Sequence, residues 1–307
     1  MNLITGINGF LGSALAVHLK EIGKVVGLVR DKNWKYKSEY LTDCSLVYGD
    51  VLDLELIKRV INDYEVTTIY HLAAQSIVKL ANSNPLDTFK TNVIGTANVL
   101  EAVRQINPKI KVVCASSDKA YGVHEELPYT EDMDLRASDI YSTSKACGDL
   151  IAQTYAKTYG INVNVVRCAN IYGPGDLNLS RIIPNTVSRL LQGKNPVIYR
   201  DVMDFKREFI HVDDVCCAYI IISEKGEAGE CYNIGDEEVY KIGDIVWEIN
   251  QILRPLNYRI DYKERPFKEI PEQYLSAEKL KNLGWRKQID LLSGLKQTIQ
   301  WYADRNL

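Results

Sequence analysis

Thr5-Gly6-Ile7-Asn8-Gly9-Phe10-Leu11-Gly12 follows the apolar pair Leu3-Ile4 and leads into residues 10–22, whose apolar side chains recur at helical spacing. A strand that turns through glycines into a helix suits a dinucleotide. Backbone N–H groups and the positive end of the helix dipole meet the pyrophosphate charge, and the missing side chains let the backbone approach it. Gly6, Gly9, Phe10, Leu11 and Gly12 are therefore candidate cofactor residues. Taken alone, the same turn is equally an ordinary tight strand-to-helix connection.

Outward from the turn, short β-branched runs at residues 25–29, 67–72, 111–115 and 163–167 alternate with amphipathic segments at 92–105 and 142–158. Such alternation predicts right-handed crossovers and a Rossmann-like, doubly wound α/β fold whose parallel sheet is covered on both faces. After Tyr172 the pattern loosens at Gly173-Pro174-Gly175-Asp176. A helix is expected at 183–191 and a short strand at 197–199, before a proline- and charge-rich stretch at 254–271. The expected division is a nucleotide-binding domain over residues 1–172 and, over 173–307, mainly a smaller C-terminal α/β cap that binds substrate at the sheet's carboxyl edge. Later segments are free to return to the first domain.

The 307 residues carry a net charge of −3 with both signs interspersed, so no nucleic-acid partner is expected and small molecules are. The longest apolar stretch, residues 215–222, is far short of the ~20 residues of a membrane span, and no charged leader precedes the first strand. A soluble, cytoplasmic protein is the expectation. Seven scattered cysteines without a C-x-x-C pair read as reduced, mostly buried thiols, and four separated histidines show no metal-ligand spacing.

The second strand ends Val29-Arg30-Asp31. A guanidinium at Arg30 suits a ribose 2′-phosphate and favours NADP, while Asp31 turned inward would accept a ribose hydroxyl of NAD. Asp50 and Val51 follow the third strand and are placed against adenine; Leu72, Ala73 and Ala74, after His71, are placed along the ribose and phosphates. His71 itself reads as a satisfied core imidazole. Tyr141 and Lys145 lie four apart in Tyr141-Ser142-Thr143-Ser144-Lys145, one above the other on a helix face. A lysine cation and an oxidised nicotinamide would both draw a phenol of pKa ~10 toward phenolate, making an acid/base catalyst at the cofactor. The plain alternative is a solvated helix face.

Together with Thr91-Asn92-Val93-Ile94-Gly95-Thr96, Ser116-Ser117-Asp118-Lys119-Ala120-Tyr121-Gly122, Asn170-Ile171-Tyr172-Gly173 and Arg207-Glu208-Phe209-Ile210-His211-Val212-Asp213-Asp214, these motifs span nearly the whole chain. The chain resembles an extended short-chain dehydrogenase/reductase of the nucleotide-sugar epimerase and dehydratase group. It is most similar to the CDP-glucose and GDP-mannose 4,6-dehydratase branch, in which Lys119 stands where many dehydratases have glutamate. The resemblance implies a nucleoside-diphosphate sugar as substrate, NAD or NADP as cofactor, a homodimer, and a 4-keto-6-deoxy product. It implies that Ser117 orients the C4 oxygen, Tyr141 with Lys145 takes the C4 hydroxyl proton, Lys119 removes the C5 proton and Asp118 protonates the departing C6 hydroxyl. It also maps diphosphate-binding arginines onto Arg207 and Arg265, and substrate contacts onto Asn170 and Arg181. Three other readings stay open. They are a 4-epimerase, against which the Asp118-Lys119 pair argues, an NADPH-dependent keto-sugar nucleotide reductase, and a non-catalytic dinucleotide-binding regulator; the plain alternative for Asp118 and Lys119 is a solvated ion pair at a strand end.

Overall fold

Parallel pairing joins β1 (Asn2–Thr5), β2 (Val25–Val29), β3 (Ser45–Tyr48), β4 (Thr68–His71), β5 (Lys111–Ala115) and β6 (Val163–Cys168) into a central sheet. The computed structural model of the chain describes residues 1–30, 38–235, 237–253, 259–264 and 270–307. β1 lies at the middle, with Ile4 opposite Gly27 on one side and Tyr70 on the other. Every residue of β2 is buried, as a strand covered on both faces requires.

The first half of the chain supplies α1 (Phe10–Lys20), α2 (Leu54–Asp63), α3 (Val78–Ser83), α4 (Pro85–Phe89), α5 (Gly95–Ile106) and α6 (Ile140–Tyr159). Ile57, Val99, Val103 and Ala152 of α2, α5 and α6 pack on Leu3, Val26, Ile69 and Val112 on one face of the sheet. The helix expected at 92–105 begins as a π-helical turn, Lys90–Ile94, and becomes α-helical only at Gly95.

Beyond residue 172 the segments become shorter. β7 (Asn170–Tyr172), α7 (Ile182–Leu191), β8 (Val197–Tyr199), β9 (Lys206–Arg207) and β10 (Phe209–His211) precede α8 (Val212–Lys225) and β11 (Cys231–Ile234). β12 (Tyr240–Lys241), α9 (Ile242–Leu253), β13 (Asp261–Lys263), β14 (Glu272–Gln273), α10 (Glu278–Asn282) and α11 (Leu291–Ala303) complete the chain. β11 returns to the first layer and pairs in parallel with β6, giving a seven-stranded sheet in the order β11-β6-β5-β4-β1-β2-β3. α8 joins α1 on the second face, where Leu15 and Leu19 meet Val215 and Ile222. A separate core forms where Ile183 and Val187 of α7, Ile245 and Ile249 of α9, and Leu295 and Ile299 of α11 meet.

The doubly wound α/β architecture expected from the sequence is therefore present. Connections run in opposite directions from β1 and β4, which opens a crevice above their carboxyl ends. All seven cysteines are unpaired. Among the described residues no helix is long and apolar enough to cross a membrane.

Candidate active site

A cleft of about 1720 Å³ runs along the carboxyl ends of the central strands. The glycine turn forms one end of it. Gly6 adopts φ +71°, and a Cβ there would lie 2.9 Å from the Ala73 backbone; a Cβ on Gly12 would lie 2.3 Å from the Gly6 carbonyl oxygen. Gly9 precedes α1 without a capping side chain, so the helix's first-turn N–H groups stay uncovered at the cleft. These features fit a dinucleotide pyrophosphate, because the backbone closes tightly only where no Cβ intervenes.

Phe10, Leu11, Leu72, Ala73, Ala74, Val51, Asp50 and Arg30 all line this end. Arg30 is exposed at the tip of β2, and the Asp50 carboxylate accepts the Leu52 N–H at 3.0 Å. Asp31 lies outside the described residues. His71 is buried between two hydroxyls, 2.8 Å from Thr5 Oγ1 and 3.0 Å from Thr96 Oγ1, and burial with the nearby Lys145 charge lowers its pKa to about 3. It is thus a neutral, satisfied core imidazole, as its sequence context suggests.

α6 carries the Tyr/Lys pair because its start and stop are both specified. Asp139 caps it by accepting the Ser142 N–H at 3.1 Å, a contact that stabilises by about 1 kcal/mol, and Gly160 ends it in the left-handed region at φ 66°. Tyr141 and Lys145 are both buried and both line the cleft. The Lys145 ammonium donates to the Ala115 carbonyl at 2.8 Å, at the end of β5. Burial lowers Lys145 to about 8, with Cys114 and Asp149 opposing the drop.

The phenol departs from expectation. Burial dominates and pushes Tyr141 up to about 12; the Ser117 hydroxyl pulls it down, and the Asp118 charge pushes it up. Lys145 is not among the groups that chiefly set the Tyr141 pKa in the protein alone; its ammonium points to the Ala115 carbonyl.

Ser117 caps a short 3-10 turn, Asp118–Tyr121, where β5 leaves the sheet, and Ser117, Asp118 and Lys119 line the cleft with Tyr141. The Ser117 hydroxyl donates to the Asp118 carboxylate at 3.0 Å and accepts the Lys119 N–H at 3.2 Å. Asp118 is buried, whereas Lys119 is half-buried, and its ammonium has no hydrogen bond or ion pair with any described residue. Asp118 and Lys119 therefore do not form the strand-end ion pair of the plain alternative.

Farther along the cleft, Asn170 Nδ2 donates to the Glu208 carbonyl at 3.1 Å. Arg181 binds the buried Asp176 at 2.9 Å and lies 5.9 Å over the Phe10 ring, linking the segment after Tyr172 to the glycine turn. Arg207 lines the cleft but is only 4% exposed, and its guanidinium reaches the Lys206, Ile270 and Pro271 carbonyls. Arg265 lies outside the described residues.

Several supporting residues were not among the sequence candidates. Asn92, in the π-helical turn, accepts the Gln75 N–H at 2.7 Å and donates to Ser144 Oγ at 2.8 Å, tying the loop after β4 to α6. Asp149, one turn beyond Lys145, makes a bidentate pair with Arg167, whose side chain is 2% exposed. Arg167 also reaches Tyr121 Oη at 2.9 Å, just after the Asp118–Lys119 turn. A signal existed for that pair: Asp149 repeats the Tyr141–Lys145 spacing, and Arg167 is the one charged residue of its strand.

This fold and its glycine turn fit the dinucleotide-binding class of doubly wound α/β proteins. The chain belongs to the extended short-chain dehydrogenase/reductase family of nucleotide-sugar 4,6-dehydratases and epimerases, and the family profile described as GDP-mannose 4,6 dehydratase matches residues 3–298. A dTDP-glucose 4,6-dehydratase from Bacillus anthracis, solved in complex with NAD, is 32% identical with a TM-score of 0.89, covering 99% of this chain and 97% of that one. A UDP-glucose 4-epimerase from Thermotoga maritima, solved with UDP-glucose, is 27% identical with a TM-score of 0.93, covering 100% of both chains. A trifunctional UDP-glucose 4,6-dehydratase/UDP-4-keto-6-deoxy-D-glucose 3,5-epimerase/UDP-4-keto-L-rhamnose-reductase from Arabidopsis thaliana is 29% identical over 98% of this chain. The match spans only 47% of that relative, about half its length.

Proposed function

We propose that the chain is a nucleotide-sugar 4,6-dehydratase, converting a nucleoside-diphosphate hexose to its 4-keto-6-deoxy form. The observation that carries the proposal is the Ser117-Asp118-Lys119 turn, a buried carboxylate held by a serine beside an ammonium without a protein partner, in the cleft that Tyr141 lines. A 4-epimerase has no step that needs a second acid/base pair.

In this account Gly6, Gly9, Phe10, Leu11 and Gly12 hold the cofactor pyrophosphate, Asp50 and Val51 border its adenine, and Leu72, Ala73 and Ala74 border its ribose and phosphates. The bound nicotinamide supplies a reversible hydride acceptor that is regenerated, not consumed. Arg30 at the ribose end supports NADP; the NAD-bound relative supports NAD. Tyr141 takes the C4 hydroxyl proton as its phenolate, the form that the positive charge of an oxidised nicotinamide beside it would favour, with Ser117 fixing the oxygen and Lys145 lining the cleft beside it. The step needs Lys119 as the amine, to accept the C5 proton that the 4-ketone acidifies, and Asp118 as the acid, to deliver a proton to the departing C6 hydroxyl. Asn170, Arg181, Arg207 and Arg265 are assigned to the substrate, held mainly by the segment after residue 172. Exposed Ile94, Leu150 and Tyr159 on and beside α5 and α6 support a homodimer built on those helices.

A 4-epimerase is the second reading, favoured by the fold's likeness to the Thermotoga maritima enzyme. Substrate deuterated at C4 separates the two. Dehydration moves the label to C6 of the product, whereas label retained at C4 of an epimerised sugar refutes the proposal.

A further inference from the structure

Tyr219 sits in the middle of α8 with 1% of its surface exposed, yet it lines the cleft. Its hydroxyl makes no hydrogen bond with any described residue. The ring is packed into the core while the hydroxyl opens onto the cleft, so the hydroxyl is left for a partner that the protein does not provide. The cleft floor around it is apolar: Leu72, Ala115, Cys168, Ala169 and Ile171 belong to the same packed cluster and also face the cleft. Burial, reinforced by the surrounding thiols and the Tyr141 phenol, drives the Tyr219 pKa well above its ordinary value, so this group donates a hydrogen bond and does not carry charge.

A floor of small and branched apolar side chains suits a flat ring, and a neutral phenol donor rising from it suits a carbonyl on that ring's edge. We propose that the Tyr219 hydroxyl donates a hydrogen bond to the carboxamide of the bound nicotinamide. The proposal rests on the dinucleotide reading of the cleft and adds to it the residue that registers the ring beside Tyr141. A sugar fits less well, because it presents several polar groups and this floor, apart from the Tyr219 and Ser116 hydroxyls, offers them apolar side chains.

Wild-type protein and Tyr219→Phe are titrated calorimetrically with NAD and with ADP-ribose, which shares every part of NAD except the nicotinamide. One neutral hydrogen bond predicts NAD affinity weakened about three- to tenfold in the variant, with ADP-ribose affinity unchanged. Unchanged ADP-ribose binding also reports that the variant is folded. Equal NAD affinity in the two proteins, as expected if the hydroxyl holds only water, overturns the proposal; so does a parallel loss for both ligands. Wild-type protein that binds neither ligand refutes the cofactor reading itself, and the proposal with it.

Discussion

Replacing Asp149 with asparagine tests how the catalytic helix is held. The Asp149 carboxylate accepts from Arg167 Nε at 2.8 Å and Nη2 at 3.1 Å, and the two side chains are 0% and 2% exposed. Burial works against the Arg167 charge, but the hydrogen bonds and charge of Asp149 overcome it and keep the guanidinium protonated. Asparagine preserves the volume and removes the charge, leaving a buried cation whose other partners are Tyr121 Oη, the Glu131 carbonyl and Cys231 Sγ. Breaking a buried pair in this way costs about 3 to 5 kcal/mol, to be read from the shift in a urea unfolding curve. A second consequence concerns Lys145, one helical turn away. Asp149 supports the Lys145 charge against burial, so without it the pKa falls below about 8. An ammonium is lost as pH rises through its pKa, so the alkaline decline of kcat/KM moves to lower pH in the variant. A stability change under about 1 kcal/mol together with an unmoved alkaline limb refutes the reasoning.

Tyr141→Phe leaves the cleft's shape but removes the acid/base hydroxyl, and kcat drops at least about 100-fold while NAD affinity holds within about twofold. Lys119→Met keeps oxidation at C4 and lowers water loss by about 100-fold or more, visible as lost wash-in of solvent deuterium at C5. Undiminished wash-in removes Lys119 from the proton path. Gly12→Ala brings a Cβ within 2.3 Å of the Gly6 carbonyl, so the turn must shift; dinucleotide affinity falls about tenfold or more, measured by titration.

The sheet was readable because a buried parallel strand writes itself as a continuous apolar run. Val25–Val29 and Lys111–Ala115 begin and end where the pattern does, and β4 is shorter than its run by one residue at each end. β11 was harder to assign: Cys231-Tyr232-Asn233-Ile234 contains a buried asparagine whose amide serves Tyr129 and Tyr121, which interrupts the apolar signal. The π-helical start of α5 was hidden for a similar reason, since it answers to Asn92 bonding a loop distant in sequence. At the site, local patterns exposed the glycine turn, Tyr141 and Lys145. The Tyr141 pKa could not be read from spacing, because the phenol's burial and the Ala115 carbonyl that takes up Lys145 are both products of the folded chain. Tyr219 lies in a run that reads only as an apolar helix, and its cleft-facing hydroxyl emerges only when α8 is laid against β5 and β6.

The most direct test of the central claim is incubation of the purified protein with CDP-glucose, UDP-glucose, dTDP-glucose, GDP-mannose and their N-acetyl relatives, followed by mass spectrometry. The account predicts that one of these loses a single water without net consumption of cofactor. Conversion at unchanged mass, or loss of substrate only when NADPH is oxidised alongside a keto-sugar nucleotide, contradicts it.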